Sequence, residues 1–215
     1  MALALRTTAY VLDTMLHSAP IIPQAIRLVF FDIETTGLNP YHDHIIEIAV
    51  SDNYGAEYQS LVKPPVTLSP KITELTGLTD ADLKDAPEPI AVAQKFSEFL
   101  ETPPNTTLVM IGHNSISFDC RFLKSWLNRV NVPCDNFRSC YHVDTMRLAQ
   151  YYYPKRYSYA LSSLMKYAGL TAEGGVAHRA MADVQSTKCL FNHIISEIRR
   201  VKGTSILDIC VPTMD

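Results

Sequence analysis

Carboxylates at short, regular intervals are the first residues in this chain able to do chemistry. In Phe30-Phe31-Asp32-Ile33-Glu34-Thr35-Thr36-Gly37, an apolar run ends in two acids spaced two residues apart. Successive side chains of a strand alternate between faces, so Leu28, Phe30, Asp32 and Glu34 share one face and Val29, Phe31 and Ile33 the other. Strand rise then sets Asp32 and Glu34 about 7 Å apart at Cβ, near enough to converge on two cations roughly 3.5 to 4 Å apart. Without cations the two acids repel.

Two further acids sit at helix starts. Asp119 closes Gly112-His113-Asn114-Ser115-Ile116-Ser117-Phe118-Asp119, where a strand ends and a helix begins. Taken alone, an Asp in a first turn is accounted for by the helix dipole. Asp183 closes His178-Arg179-Ala180-Met181-Ala182-Asp183 and shares a helical stripe with Thr187, Leu190 and Ile194. A carboxylate on such a core-facing stripe is costly unless paired or bound to metal. With no Lys or Arg expected one turn away on that face, a cation is the simplest partner. His178 precedes Asp183 by five residues, about 140° round an ideal helix. Both therefore face one site if His178 lies before or at the helix start, and Gly174-Gly175 makes the preceding loop mobile. An imidazole titrates near neutral pH, which suits a general base that takes a proton from water beside a phosphate.

The elements that must position these residues are legible from periodicity. The run from Arg27 reads as a buried strand, and Ile45 to Val50, Glu57 to Val62 and Thr107 to Ile111 as three more. Asn39-Pro40 and Asp52-Asn53-Tyr54-Gly55 supply turns. Helical patterns cover Ile90 to Leu100, Phe118 to Val130, Asp144 to Tyr152, Tyr159 to Ala168 and about Arg179 to Arg200. Strands first, then strands alternating with helices, predict a mixed α/β layer structure with helices covering a sheet. Residues 1–26 read as an N-terminal extension carrying a short helix, residues 27–202 as the one folded domain, and residues 203–215 as a short tail.

Composition narrows the classes. Of 215 residues, 47% are hydrophobic and 19% charged, enough apolar material for a core and far from the signature of disorder. The net charge of −3 is not the basic footprint of a protein that coats nucleic acid, so a polyanion must be attracted locally. The five cysteines form no C-x-x-C pair, which suggests neither a zinc site nor a disulfide framework and points to reduced thiols inside the cell, in cytoplasm or nucleus. No stretch is long and apolar enough to span a membrane, and Arg6, Asp13 and His17 interrupt any signal-peptide core.

Several features have ordinary explanations. His42, His44 and His113 lack the paired spacing of a metal site. Glu47 is explained by solvation at a sheet edge or by a local partner, and Asp144 by helix capping. Tyr151-Tyr152-Tyr153-Pro154-Lys155-Arg156-Tyr157-Ser158-Tyr159 interleaves aromatics with cations, a pattern compatible with stacking bases and gripping phosphate, although such stretches more often pack between helices.

The three acid-bearing segments together resemble the DEDDh exonucleases, a family of ribonuclease-H-like fold named for four acids and one histidine. The first motif matches Asp32-Ile33-Glu34-Thr35-Thr36-Gly37, the second His113 to Asp119 and the third His178 to Asp183. The segment Ile72-Thr73-Glu74-Leu75-Thr76-Gly77-Leu78-Thr79 is similar to one found in the proofreading epsilon subunit of bacterial DNA polymerase III.

This resemblance implies a 3′-to-5′ exonuclease using a two-metal hydrolysis. Asp32, Glu34, Asp119 and Asp183 would hold two divalent cations, Mg2+ or Mn2+, with His178 as the base, and a nucleoside 5′-monophosphate would leave. Thr35, Thr36 and Leu38 would meet the terminal nucleotide, with Leu38 wedged under its base, and Asn114 and Phe118 would line the sugar and base pocket. Phe118 and Leu38 suit a core or a helix staple equally well. The implied partner is the 3′ end of single-stranded or frayed DNA. The alternatives are an RNA 3′ exonuclease and a catalytically idle nucleic-acid-binding module. The short segment after the last helix argues against a polymerase partner and for a stand-alone enzyme.

Overall fold

The computed structural model describes residues 25–171, 179–202 and 211–212. Strand β1 is Ala25–Thr35, β2 Ile45–Asp52 and β3 Glu57–Leu61. Helices α1 (Pro70–Thr76), α2 (Asp80–Leu83) and α3 (Pro89–Phe99) follow. Next come β4 (Thr106–Gly112), α4 (Asp119–Arg129), α5 (Asp135–Ser139) and β5 (Tyr141–Asp144). Helices α6 (Thr145–Tyr152), α7 (Leu161–Ala168) and α8 (Ala180–Lys202) and the two-residue strand β6 (Val211–Pro212) complete the described chain. The short helix expected within residues 1–26 falls almost wholly outside the described residues, and β1 begins at Ala25.

The sheet order is β3-β2-β1-β4-β5-β6. Strands β1, β2 and β3 form an antiparallel meander, β4 and β5 run parallel to β1, and β6 returns antiparallel beside β5. This is the mixed α/β sheet expected, of ribonuclease-H-like type, with β5, β6, α1, α2 and α5 added to the elements that periodicity revealed. Strand β5 has four residues, too few to display alternation. Helix α1 is announced by local chemistry instead: Ser69 caps it, Pro70 opens it and Gly77 closes it in the left-handed region at φ 72°.

Alternation along β1 divides the core. Val29, Phe31 and Ile33 pack with Val92, Phe96, Phe122 and Trp126 of α3 and α4 on one side of the sheet. Phe30 faces Val184, Leu190, Phe191 and Ile194 of α8 on the other, with its ring edge-on to Phe191 at 5.5 Å. Asp32 and Glu34 continue the Phe30 row, so the sheet face that buries α8 ends in acids at the C-terminal end of β1.

Candidate active site

Helix α8 packs across β1 and β2 and brings Asp183, in its first turn, over the end of β1. One ligand oxygen each from Asp32, Glu34 and Asp183 lies within 4.8 Å of the other two. Two-residue strand spacing and a core-facing helical stripe therefore meet at one point. Thr187, Leu190 and Ile194 of that stripe are buried.

Asp119 is the first residue of α4 and is buried. It stands outside the group of three, yet its charge is the largest electrostatic influence on Asp32. Burial first, and then the charges of Asp119, Asp183 and Glu34, raises the Asp32 carboxyl well above the usual range. Burial and the Asp183 charge push Glu34 up to about 8. Burial carries Asp119 to about 7 against the opposing pull of backbone N–H groups, including that of Ile33. Such acids cannot all be charged at neutral pH without a positive partner. The donors are all oxygens, which fits a hard divalent cation such as Mg2+ or Mn2+ better than a soft one.

Contrary to the expectation of no cation there, Arg179 lies one turn before Asp183, and it is taken up elsewhere. Its Nε and Nη2 donate to Glu47 at 3.1 and 3.0 Å. Glu47 lies opposite Glu34 in the β1–β2 register and is fully buried. It also accepts from the Ala180 N–H at 3.3 Å and from Gln59 Nε2 at 2.7 Å. Glu47 is not at a sheet edge, because β2 lies between β1 and β3, and its ion-pair partner comes from 132 residues away, with Gln59 of the adjacent strand beside it. Glu47 thus neutralises Arg179 and satisfies the first amide of α8. His178 and Gly174-Gly175 lie outside the described residues.

The loop after β1 is built around Asp43. Thr36 Oγ1 donates to its carboxylate at 3.3 Å and the Asn39 N–H at 2.8 Å, while Arg129 Nη2 holds its carbonyl at 2.8 Å. A Cβ at Gly37 would stand 2.5 Å from that carboxylate, so a larger residue would displace it from its loop hydrogen bonds. The Thr35 hydroxyl is spent on the Gly37 carbonyl at 2.6 Å. Thr35 and Thr36 therefore shape the loop with their hydroxyls. Leu38, 81% exposed at its tip, has no core role.

In the loop after β4, which runs parallel to β1, Asn114 is exposed with φ 58° in the left-handed region. Its N–H donates to Asp144 Oδ1 at 2.9 Å and its Oδ1 accepts from Ser117 at 2.7 Å. Asp144 caps α6 as expected, through Met146 and Arg147, and adds Asn114 and Ile116. Phe118 is half-buried with its ring 4.9 Å from that of Phe122, and packs against the core beneath α4. His113 Nδ1 pairs with Thr145 Oγ1 and Nε2 with the Tyr159 carbonyl, each at 2.9 Å.

A family model described as RNase_T, Exonuclease, matches residues 29–191, a span that includes all four acids and His178. The chain belongs to this exonuclease family. Among curated relatives of this family member, the DNA polymerase III PolC-type of Bacillus cereus is 33% identical over 79% of the chain, and that of Thermotoga petrophila 34% identical over 84%. The chain spans only 11% and 13% of those proteins. Among solved structures, Escherichia coli exonuclease I in complex with a dT13 oligonucleotide matches with a TM-score of 0.65 at 20% identity. The zinc-bound exonuclease I complex with single-stranded DNA matches at 0.68 and 19%. Each comparison covers 82% of this chain and 41% of exonuclease I, and they support the fold of the RNase_T exonuclease.

Proposed function

We propose that this exonuclease-family chain removes nucleotides from the 3′ end of single-stranded or frayed DNA by divalent-metal-dependent hydrolysis, releasing nucleoside 5′-monophosphates. The observation that carries this function is the convergence of Asp32, Glu34 and Asp183 on one point at the C-terminal end of β1, under the first turn of α8. Bound divalent cations would neutralise the scissile phosphate and the charge that develops on the leaving 3′-oxygen. Asp32, Glu34, Asp119 and Asp183 are the residues to hold them. His178, entering just before the Arg179 anchor, takes the proton of the attacking water. Leu38, raised clear of the core, and Asn114 in the loop after β4 hold the terminal nucleotide, together with Phe118. A DNA substrate is supported by relatives named as DNA polymerases and by solved neighbours described with DNA oligonucleotides. Those relatives also favour keeping a polymerase partner open beside a stand-alone enzyme. Site and family together support activity inside the cell.

The test uses purified protein and its Asp183→Ala variant on matched 5′-labelled single-stranded DNA and RNA, with magnesium, manganese or chelator. Stepwise shortening from the 3′ end that requires metal and disappears in the variant is the expected result. Faster cleavage of RNA would reassign the substrate. No shortening under any condition would leave a nucleic-acid-binding module.

A further inference from the structure

We infer that the loop between α6 and α7, together with the outer face of α7, forms a second nucleic-acid contact that grips the substrate strand upstream of its terminal nucleotide. This rests on the exonuclease function proposed above and adds to it the residues that retain the rest of the strand.

Charge distribution comes first. From Thr145 to Thr171 the chain carries Arg147, Lys155, Arg156 and Lys166 and no Asp or Glu, although the whole protein has a net charge of −3. The same stretch holds six of the 11 tyrosines. A polyanion thus finds one locally basic, aromatic segment on a mildly acidic protein.

The structure sorts these aromatics into two kinds. Tyr152, Tyr153 and Tyr167 form an edge-on series with centroids 4.9 and 5.2 Å apart, and the Tyr159 hydroxyl is tied to the Tyr153 carbonyl at 2.8 Å. They do the packing expected of such a stretch. Tyr157 is fully exposed. Arg156 lies flat on Tyr167, its guanidinium carbon 3.5 Å from the ring centroid, and its buried Nε has no hydrogen-bond partner among the described residues. Stacking immobilises this guanidinium in advance, so less freedom is lost when the cation meets an oxyanion.

Arg156, Tyr157, Ser158, Ser163, Lys166 and Tyr167 line a groove of about 460 Å³, a size that admits a nucleotide. Two cations, two hydroxyls and an exposed ring are the donor set for a sugar-phosphate backbone with one stacked base. The groove belongs beside the catalytic loop because Tyr159, two residues after Tyr157, gives its carbonyl to His113, the neighbour of Asn114. Helix α7 also packs on α8, which carries Asp183.

Tyr157→Ala and Lys166→Glu test the groove at exposed positions that leave the core untouched. Binding of fluorescent single-stranded oligothymidylates is measured with calcium in place of magnesium, on a short strand of about 3 and a long one of about 12 nucleotides. Hydrolysis of the short strand is followed separately in magnesium. The expected result is roughly 10-fold weaker binding of the long strand in each variant, with a salt dependence shallower by about one unit of slope for Lys166→Glu. Short-strand hydrolysis should be unchanged. Long-strand binding equal to that of the unsubstituted protein overturns the groove, and so does an equal loss on both lengths. If the unsubstituted protein hydrolyses neither strand, the exonuclease function fails, and the binding comparison still decides the groove.

Discussion

Glu47 shows how a single carboxylate earns its place without touching substrate. Buried opposite Glu34, it adds its negative charge to those that raise Asp32 and Glu34, and it is held there by Arg179, Gln59 and the Ala180 amide. The Arg179 charge in turn draws Glu34 slightly downward against the dominant effect of burial. Glu47→Gln removes the ion pair and keeps the size, so the start of α8 loses its electrostatic anchor. The expected outcome is a kcat reduced by about 10- to 100-fold, the usual cost of disturbing the groups that orient a metal or its base. KM for the DNA strand should hardly change. Steady-state kinetics on single-stranded DNA separate the two parameters, and an unchanged kcat would show that the pair serves folding alone.

At the level of elements, the site depends on joints between strands and helices more than on the elements themselves. Asp144 is such a joint: buried at the end of β5, it accepts from the amides of Met146 and Arg147 at the start of α6 and of Asn114 and Ile116 in the loop after β4. Asp144→Ala leaves these amides without their acceptor. Loss of one cap plus two loop hydrogen bonds should cost about 2 to 3 kcal/mol of stability. Urea unfolding followed by the fluorescence of Trp126, the one tryptophan and buried between α4 and the sheet, measures it. The same variant should raise KM, because Asn114 loses the bond that holds its left-handed backbone.

For the whole molecule, the acid cluster couples folding to pH and to metal. In the metal-free protein Glu34 is raised from its ordinary 4.5 to about 8 and Asp119 from 3.8 to about 7. Between those limits the folded state holds protons that the unfolded chain has released. Their contribution to stability is therefore complete below the ordinary values, declines as pH rises, and is gone above about 8. Thermal unfolding in chelator should show Tm falling as pH rises from about 5 to about 8.5, the window between the ordinary and the raised carboxyl values. Saturating magnesium or manganese should raise Tm most at the alkaline end, since metal binds the deprotonated carboxylates. A metal effect independent of pH would contradict the assignment of these acids as ligands.

The sequence by itself determined the chemistry and most of the scaffold. Alternation put Asp32 and Glu34 on the Phe30 face, and helical spacing put Asp183 on the buried stripe of α8, because both patterns repeat within one element and need no knowledge of the rest. Three acidic motifs in order also made the exonuclease resemblance visible. Only the tertiary structure decided the partners. Arg179 reaches Glu47 across 132 residues, His113 meets Tyr159 across 46, and β5 is recognisable through its pairing with β4. Which tyrosines pack and which stand free in Tyr151 to Tyr159 was equally hidden. Pairings of this kind depend on how distant segments come together in three dimensions, and local spacing carries no record of that.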